Sequence, residues 1–491
     1  MATHATPRPV AERKPPAARQ VAALSARTSV PRSGPGSPGG LARLEAGTAQ
    51  ISTPGRLHCL PEASPEAVSP EAVSPEAPQS LGLSPLPGGQ VWRATLNSRF
   101  ASVRARRTRG SFAVVLAVLL AGCGSIQLAR PLAPAAPSDA PAPPLVRVWE
   151  TDVEAAFGPA APVVGGAAGS AALAIGTRNG RVVVLDAASG DRIGSLGFGA
   201  SVDAGIALSP DGQTAYVAVA RGRYAVVAQA LRTGERRWGW RPDSSTQAVD
   251  AGLVLAAGVV VAPLHDGTIL GLDAASGAER WRVVGTPGAQ NHAAPIDVGR
   301  GGVAVIDDRG TVRALDAATG RVLWTATAGA PVVSAPTLTD GRLFAGTTRG
   351  TLAALDAATG AVLWTALLDP AGRARLSQPS AADGRVVVGL TDGRVVALDA
   401  ATGAVAWTWT GTGAVVGAPL ASGGSVYVGT MDRRLVAISA TTGSETWSTE
   451  LRGRVKSALA VADGRLIVLS EPRHVSAFEP APATAAATPR N

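Results

Sequence analysis

The sequence predicts an all-β chain in which residues 145–480 close into an eight-bladed β-propeller of four-stranded blades, an N-terminal strand completing the last blade. Three observations predict it: a phrase repeating at blade-sized spacing, an indole returning once per repeat, and two incomplete units at opposite ends of the repeat array that complement one another.

The phrase is clearest in Ala314-Leu-Asp-Ala-Ala-Thr-Gly-Arg-Val-Leu-Trp324, and it returns nearly unchanged from Ala354 to Trp364 and from Ala397 to Trp407. Weaker copies centre on Asp186 to Gly190, Thr233-Gly234, Asp273 to Gly277 and Thr442-Gly443. The glycines Gly190, Gly234, Gly277, Gly320, Gly360, Gly403 and Gly443 are 40 to 44 residues apart, room for four short strands and their turns. Within a copy, Gly341 to Thr347 and Thr351 to Leu355 flank a short Gly-containing hairpin loop. Asp356 to Gly360 is then a turn, and so are the matching segments of Asp316 to Gly320 and Asp399 to Gly403: an Asp side chain can accept nearby backbone N–H bonds, and Gly adopts positive φ at little steric cost.

The indole is the second signal. Aromatic residues make up only 4% of the chain, yet it holds ten Trp against six Phe and three Tyr. Outer-strand tryptophans recur at Trp238, Trp281, Trp324, Trp364, Trp407 and Trp447, with Ile193 in the corresponding place of the first unit. These seven units are followed by an eighth, 457–479, that has three strand-like segments and no outer strand. Val146-Arg-Val-Trp149 reads as an outer strand with no blade before it, so Trp149 joins the docking set and the two ends are expected to pair, leaving no open sheet edge.

What precedes the repeats is of another character. Residues 1–102 are rich in Pro, Ala, Ser and Arg, with Ser-Pro-Glu-Ala at 64, 69 and 74, a composition too poor in apolar residues to offset ordering entropy. Residues 103–122 combine Arg104, Arg106, Arg107 and Arg109 with the apolar run Phe112 to Ala121 and end at Cys123, the pattern of a lipoprotein signal whose Cys becomes the lipidated first residue. The run is shorter than the roughly 20 apolar residues of a spanning helix. A signal acts near a chain start, so translation is expected to begin near Val103. Residues 123–144 have the Pro/Ala composition of a tether, and 481–491 that of a disordered tail.

Charge and cysteine content exclude several functions. The net charge of +9 invites a nucleic-acid reading, but fourteen of the 45 basic and six of the 36 acidic residues precede Cys123, leaving the repeats almost neutral. Cys59 and Cys123 lie outside the repeats, so neither a disulfide nor a thiolate metal site supports the fold. His265, His292 and His474 show no convergent ligand spacing, and the repeated Asp273, Asp316, Asp356 and Asp399 belong to different blades, so no metal is expected. No Gly-rich phosphate loop is present.

The phrase Ala-x-Asp-x-x-Thr-Gly-x-x-x-Trp resembles the tryptophan-docking motif of pyrroloquinoline-quinone-type propellers, over about two-thirds of the chain. The resemblance implies that each Trp packs against the neighbouring blade. It would also bring a quinone-dependent oxidoreductase to mind, but those enzymes carry an adjacent cysteine pair and ligands for a calcium ion, with long insertions between blades, whereas this sequence has no Cys-Cys and nearly bare repeats, so no cofactor and no catalytic residue is expected. Lipoprotein signal, tether and bare repeats together resemble the BamB-type lipoproteins of the outer-membrane β-barrel assembly machinery. Gly124 in place of an Asp after Cys123 is compatible with outer-membrane sorting. The resemblance implies a non-catalytic scaffold, lipid-anchored in the outer membrane and facing the periplasm, that binds a barrel-inserting outer-membrane protein. The stretch Gly372 to Gln378, matched to that family's partner-binding loop, has none of its acidic residues, so no binding residues are carried over. The alternative is an envelope propeller binding some other partner.

Overall fold

The computed structural model describes residues 131–482, except Phe157, Pro159, Asp203, Ser245 and Thr246. Cys123, the signal run 103–122, the stretch 1–102 and residues 483–491 lie outside the described residues.

Among the described residues there are 32 strands in eight four-stranded antiparallel sheets. Blades one to seven span 163–197, 206–240, 254–283, 296–327, 337–367, 380–410 and 420–450, each a simple meander from an inner to an outer strand. Many of the first hairpins are two-residue turns with both residues at positive φ, such as Asp340-Gly341 (φ 46° and 71°), Asp383-Gly384 (53° and 72°) and Asp463-Gly464 (48° and 72°). That backbone twist matches the strands it joins.

The alternation of side chains has an outcome particular to a wheel. Buried apolar residues fall into eight clusters, each holding side chains from two adjacent blades. In blade one, Ala172 and Ala174 face blade two, whereas Leu173 and Ile175 face blade eight. Successive residues of a strand point to opposite faces, so here both faces are core. Second strands such as Val259–Pro263 and Ser425–Gly429 are therefore buried along their whole length, and the others at all but an end residue. A single blade would leave both apolar faces in water; the blades are stable only as neighbours.

The eighth blade is built from both ends of the ring. Leu145–Asp152 pairs antiparallel with the last strand, His474–Pro480, in a register from Leu145 opposite Pro480 to Asp152 opposite His474, with one irregularity between Arg147 and Trp149. Ala460–Ala462 and Arg465–Ser470 supply its inner strands. The expected closure is what the structure has, the N-terminal strand completing the four-stranded last blade.

Of the segment 123–144, the described part lies along the wheel. Leu132 is 1% exposed and sits in the cluster between blades one and two, its backbone N–H donating to Gly212 at 2.9 Å. Gly166 donates to Ala133 at 2.7 Å, and Ala135 to Val164 at 3.2 Å. Farther on, Ala140 donates to Ser422 Oγ at 2.9 Å, and the Tyr427 hydroxyl, on blade seven, donates to the Pro141 carbonyl. Residues 131–144 thus strap blades two, one and seven beside the seam. Tether composition does not prevent this: one inserted Leu and a handful of backbone bonds suffice.

Candidate functional site

Two parts of the wheel carry specific chemistry: the turns where tryptophans dock, and the mouth of the central channel.

Each docking turn follows the third strand of a blade. Asp356 Oδ1 accepts from the backbone N–H groups of Ala358 (3.1 Å) and Thr359 (2.8 Å) and from the Thr359 hydroxyl (2.8 Å). Asp399 does the same with Ala401 and Thr402, and Asp316 with Thr319. Hydrogen bonds to the ionised form hold these carboxyls below the ordinary Asp range, the Thr hydroxyl being the largest influence in all three. Asp273 goes furthest, to about 2, through Ser276 first and then the Arg280 guanidinium. The turns end at Gly320, Gly360 and Gly403, each at positive φ with its N–H bonded to the Asp carbonyl four residues before.

The glycines also serve the indoles. An ideal Cβ on Gly320 would stand 2.6 Å from Trp281, one on Gly360 2.5 Å from Trp324, and one on Gly403 2.7 Å from Trp364. Trp149, Trp238 and Trp407 lie in the same way over Gly190, Gly277 and Gly443. Each indole N–H donates to a turn carbonyl of the next blade: Trp149 to Ala187 (3.2 Å), Trp238 to Ala274 (3.0 Å), Trp281 to Ala317 (2.9 Å), Trp324 to Ala357 (3.1 Å), Trp364 to Ala400 (3.2 Å) and Trp407 to Ala440 (2.8 Å). A bulge flanks each turn: opposite Ala314 and Leu315, for example, the outer strand carries the extra residue Leu323 next to Trp324. Trp447 differs: it meets Phe478 edge-on at 6.2 Å, and among the described residues its N–H finds no carbonyl. The reason is topological. The outer strand of blade eight comes from the other end of the ring, so no such turn exists there to receive it.

These residues hold blades together and are spread round the rim. Asp273, Asp316, Asp356 and Asp399 each serve a separate blade and converge on nothing.

The channel mouth brings together residues that their spacing did not. A cavity of about 650 Å³ is bordered by loops entering the inner strands, including small residues Gly205, Gly252, Ala294, Ala335 and Gly417. A methyl on Gly252 would come within 2.9 Å of Ala294 Cβ, so small side chains are what allow the inner ends to approach. Asp250 and His292 border the cavity, as do Arg375 and Lys456. Asp250, His265 and His292 each place one donor atom within 4.8 Å of the others. They come from three different loops, which is why no short motif announced them. Among the described residues, His292 is the one aromatic side chain bordering the cavity.

The family model described as outer membrane protein assembly factor BamB matches residues 146–293, 265–414 and 408–486, nearly the whole wheel and well over half of the chain. The chain belongs to the BamB family. No curated protein sequence matches it. Among solved structures, BamB from Moraxella catarrhalis is 23% identical, with a TM-score of 0.56 over 68% of this chain and 97% of that one. Sqt1 from Saccharomyces cerevisiae is 15% identical, TM-score 0.56, over 68% and 98%. Quinohemoprotein alcohol dehydrogenase from Comamonas testosteroni is 17% identical, TM-score 0.54, over 68% and 76%. At these identities the likenesses show a shared fold and leave activity to be argued from this chain's own residues.

Proposed function

We propose that the protein is a non-catalytic scaffold lipoprotein of the bacterial envelope. Lipidated at Cys123 and held on the periplasmic face of the outer membrane, it binds a barrel-inserting outer-membrane protein and assists the assembly and insertion of β-barrel proteins. The observation that carries this reading is the match of the BamB family model across the wheel from residue 146 to residue 486. The blades support it: they are bare meanders with short connections, rigid and presenting loops on two faces, the form of a binding platform.

The test is cross-linking in intact cells, then purification of the tagged protein from detergent-solubilised envelopes. Recovery of a barrel-inserting protein is the expected result, together with loss of membrane retention in Cys123→Ala. Repeated recovery of other envelope proteins without it would refute the assembly role.

A further inference from the structure

The channel mouth holds a second feature that the scaffold role does not use. Asp250 lies on the loop entering blade three, His265 in the central hairpin of blade three, and His292 on the loop entering blade four. We propose that these three residues form a binding site for a divalent transition-metal ion of the zinc type, with an open coordination position facing the channel.

The loops are fixed independently of any ion. Asn291 is 1% exposed, and its side-chain amide donates to the carbonyls of Leu264 (3.0 Å) and Thr268 (3.2 Å), bolting the segment of His292 to the hairpin of His265. His265 N–H donates to Ala248 at 2.8 Å, tying that hairpin to the Asp250 loop, where Val249 and Ala251 are buried on either side of the carboxylate. Gln290 bonds reciprocally with Asp308, N–H to Oδ1 and N–H to carbonyl, both at 2.8 Å. Donor groups held by already satisfied neighbours are what a metal site requires of its scaffold.

The donors converge, one atom from each of the three side chains lying within 4.8 Å of the others. Asp250 Oδ2 is 2.7 Å from His265 Nδ1, a carboxylate–imidazole contact. A cation entering there takes the place of the proton that the pair shares. The imidazoles meet edge to face at 5.3 Å. Gln290 spans them, its amide nitrogen 3.0 Å from His265 Nε2 and its oxygen 3.1 Å from His292 Nε2. The Gln290 oxygen accepts from His292 Nε2–H and leaves that ring's Nδ1 as a lone pair, as in sites where the second ring nitrogen fixes the orientation of a metal-binding histidine. The Gln290 amide donates to His265 Nε2, a contact that this ring gives up as its proton moves from Nδ1 to Nε2 and frees Nδ1 for an ion.

Donor chemistry selects the ion. Two imidazoles and a carboxylate suit zinc and its first-row neighbours, whereas calcium and magnesium favour all-oxygen sets. Three protein ligands leave a tetrahedral ion one further position. Asp250 and His292 border the channel cavity, so that position opens to water or to a side chain entering from a partner.

The experiment uses the full protein stripped with chelator, titrated calorimetrically with zinc chloride and, in parallel, followed by the visible absorption of cobalt(II). One ion per chain is expected, with cobalt bands of nitrogen and oxygen coordination and a rise in unfolding temperature on adding zinc. His265→Ala and His292→Ala should each weaken binding by more than about a hundredfold. Near-UV circular dichroism of each variant reports whether the wheel is intact. The wild-type titration does not depend on any variant folding. Absence of zinc binding to the stripped wild type, or binding that survives His265→Ala/His292→Ala, would overturn the proposal.

Discussion

A methyl group added at Gly320 separates the docking of an indole from the needs of a tight turn. Gly320 has φ of +73°, and an ideal Cβ there stands 2.6 Å from Trp281 Cδ2 and 2.7 Å from Cγ. Trp281 is 8% exposed and bonded to the Ala317 carbonyl at 2.9 Å. Gly320→Ala therefore has two costs. A left-handed backbone costs a non-glycine residue about 1–2 kcal/mol. Displacing the ring gives up burial of about 150–250 Å², worth about 4–6 kcal/mol at about 25 cal/mol per Å² if the ring leaves altogether. Partial displacement brings the expected total to about 3–6 kcal/mol. Gly341→Ala is the control: φ is +71°, but no atom lies within 4 Å of its added methyl, so only the backbone cost of about 1–2 kcal/mol applies. Equilibrium urea unfolding followed by tryptophan emission measures both. Equal losses, within about 0.5 kcal/mol, would refute the claim that docking rings hold the blades together.

Three other outcomes follow from the same geometry. Trp407→Phe should cost about 1 kcal/mol more than Trp447→Phe, because only the first gives up an indole hydrogen bond and strands the Ala440 carbonyl; the comparison is again by urea unfolding. Leu132→Ala should destabilise by about 2–5 kcal/mol, whereas a slack tether would show no change on calorimetry. The turn carboxylates Asp273, Asp316, Asp356 and Asp399 titrate lower when folded than when unfolded, so their stabilisation is present above the ordinary Asp value of 3.8 and is lost as pH falls through the folded values, about 2 for Asp273. Urea midpoints between about pH 5 and about pH 2 should fall more steeply for the wild type than for the fourfold Asp→Asn variant, and parallel curves would contradict the assignment.

The architecture was legible because the wheel repeats its instructions. Docking needs a glycine under the ring and an indole above it, so Gly320 with Trp281, Gly360 with Trp324 and Gly403 with Trp364 mark the period twice over. Closure was legible too, since Val146 to Trp149 has the form of an outer strand and the unit at 457–479 lacks one. The channel mouth was not. Asp250, His265 and His292 come together because the blades bring separate loops to one opening, an arrangement that no local spacing encodes. Leu132 was hidden for a different reason: composition averages over 123–144 and cannot register a single side chain entering the groove between two blades. Burial on both faces of the second strands also escapes a reading based on one wet and one dry face, because each blade has a neighbour on either side.

Closure of the ring by Leu145–Asp152 against His474–Pro480 is the claim on which the rest depends. Native-state hydrogen exchange read by mass spectrometry on peptides covering 145–152 tests it directly. The account requires these amides to exchange as slowly as those of the other outer strands, such as Val322–Thr327 and Val362–Leu367. Exchange at the rate of an unstructured chain, with the other seven outer strands protected, would show an open ring and contradict the account.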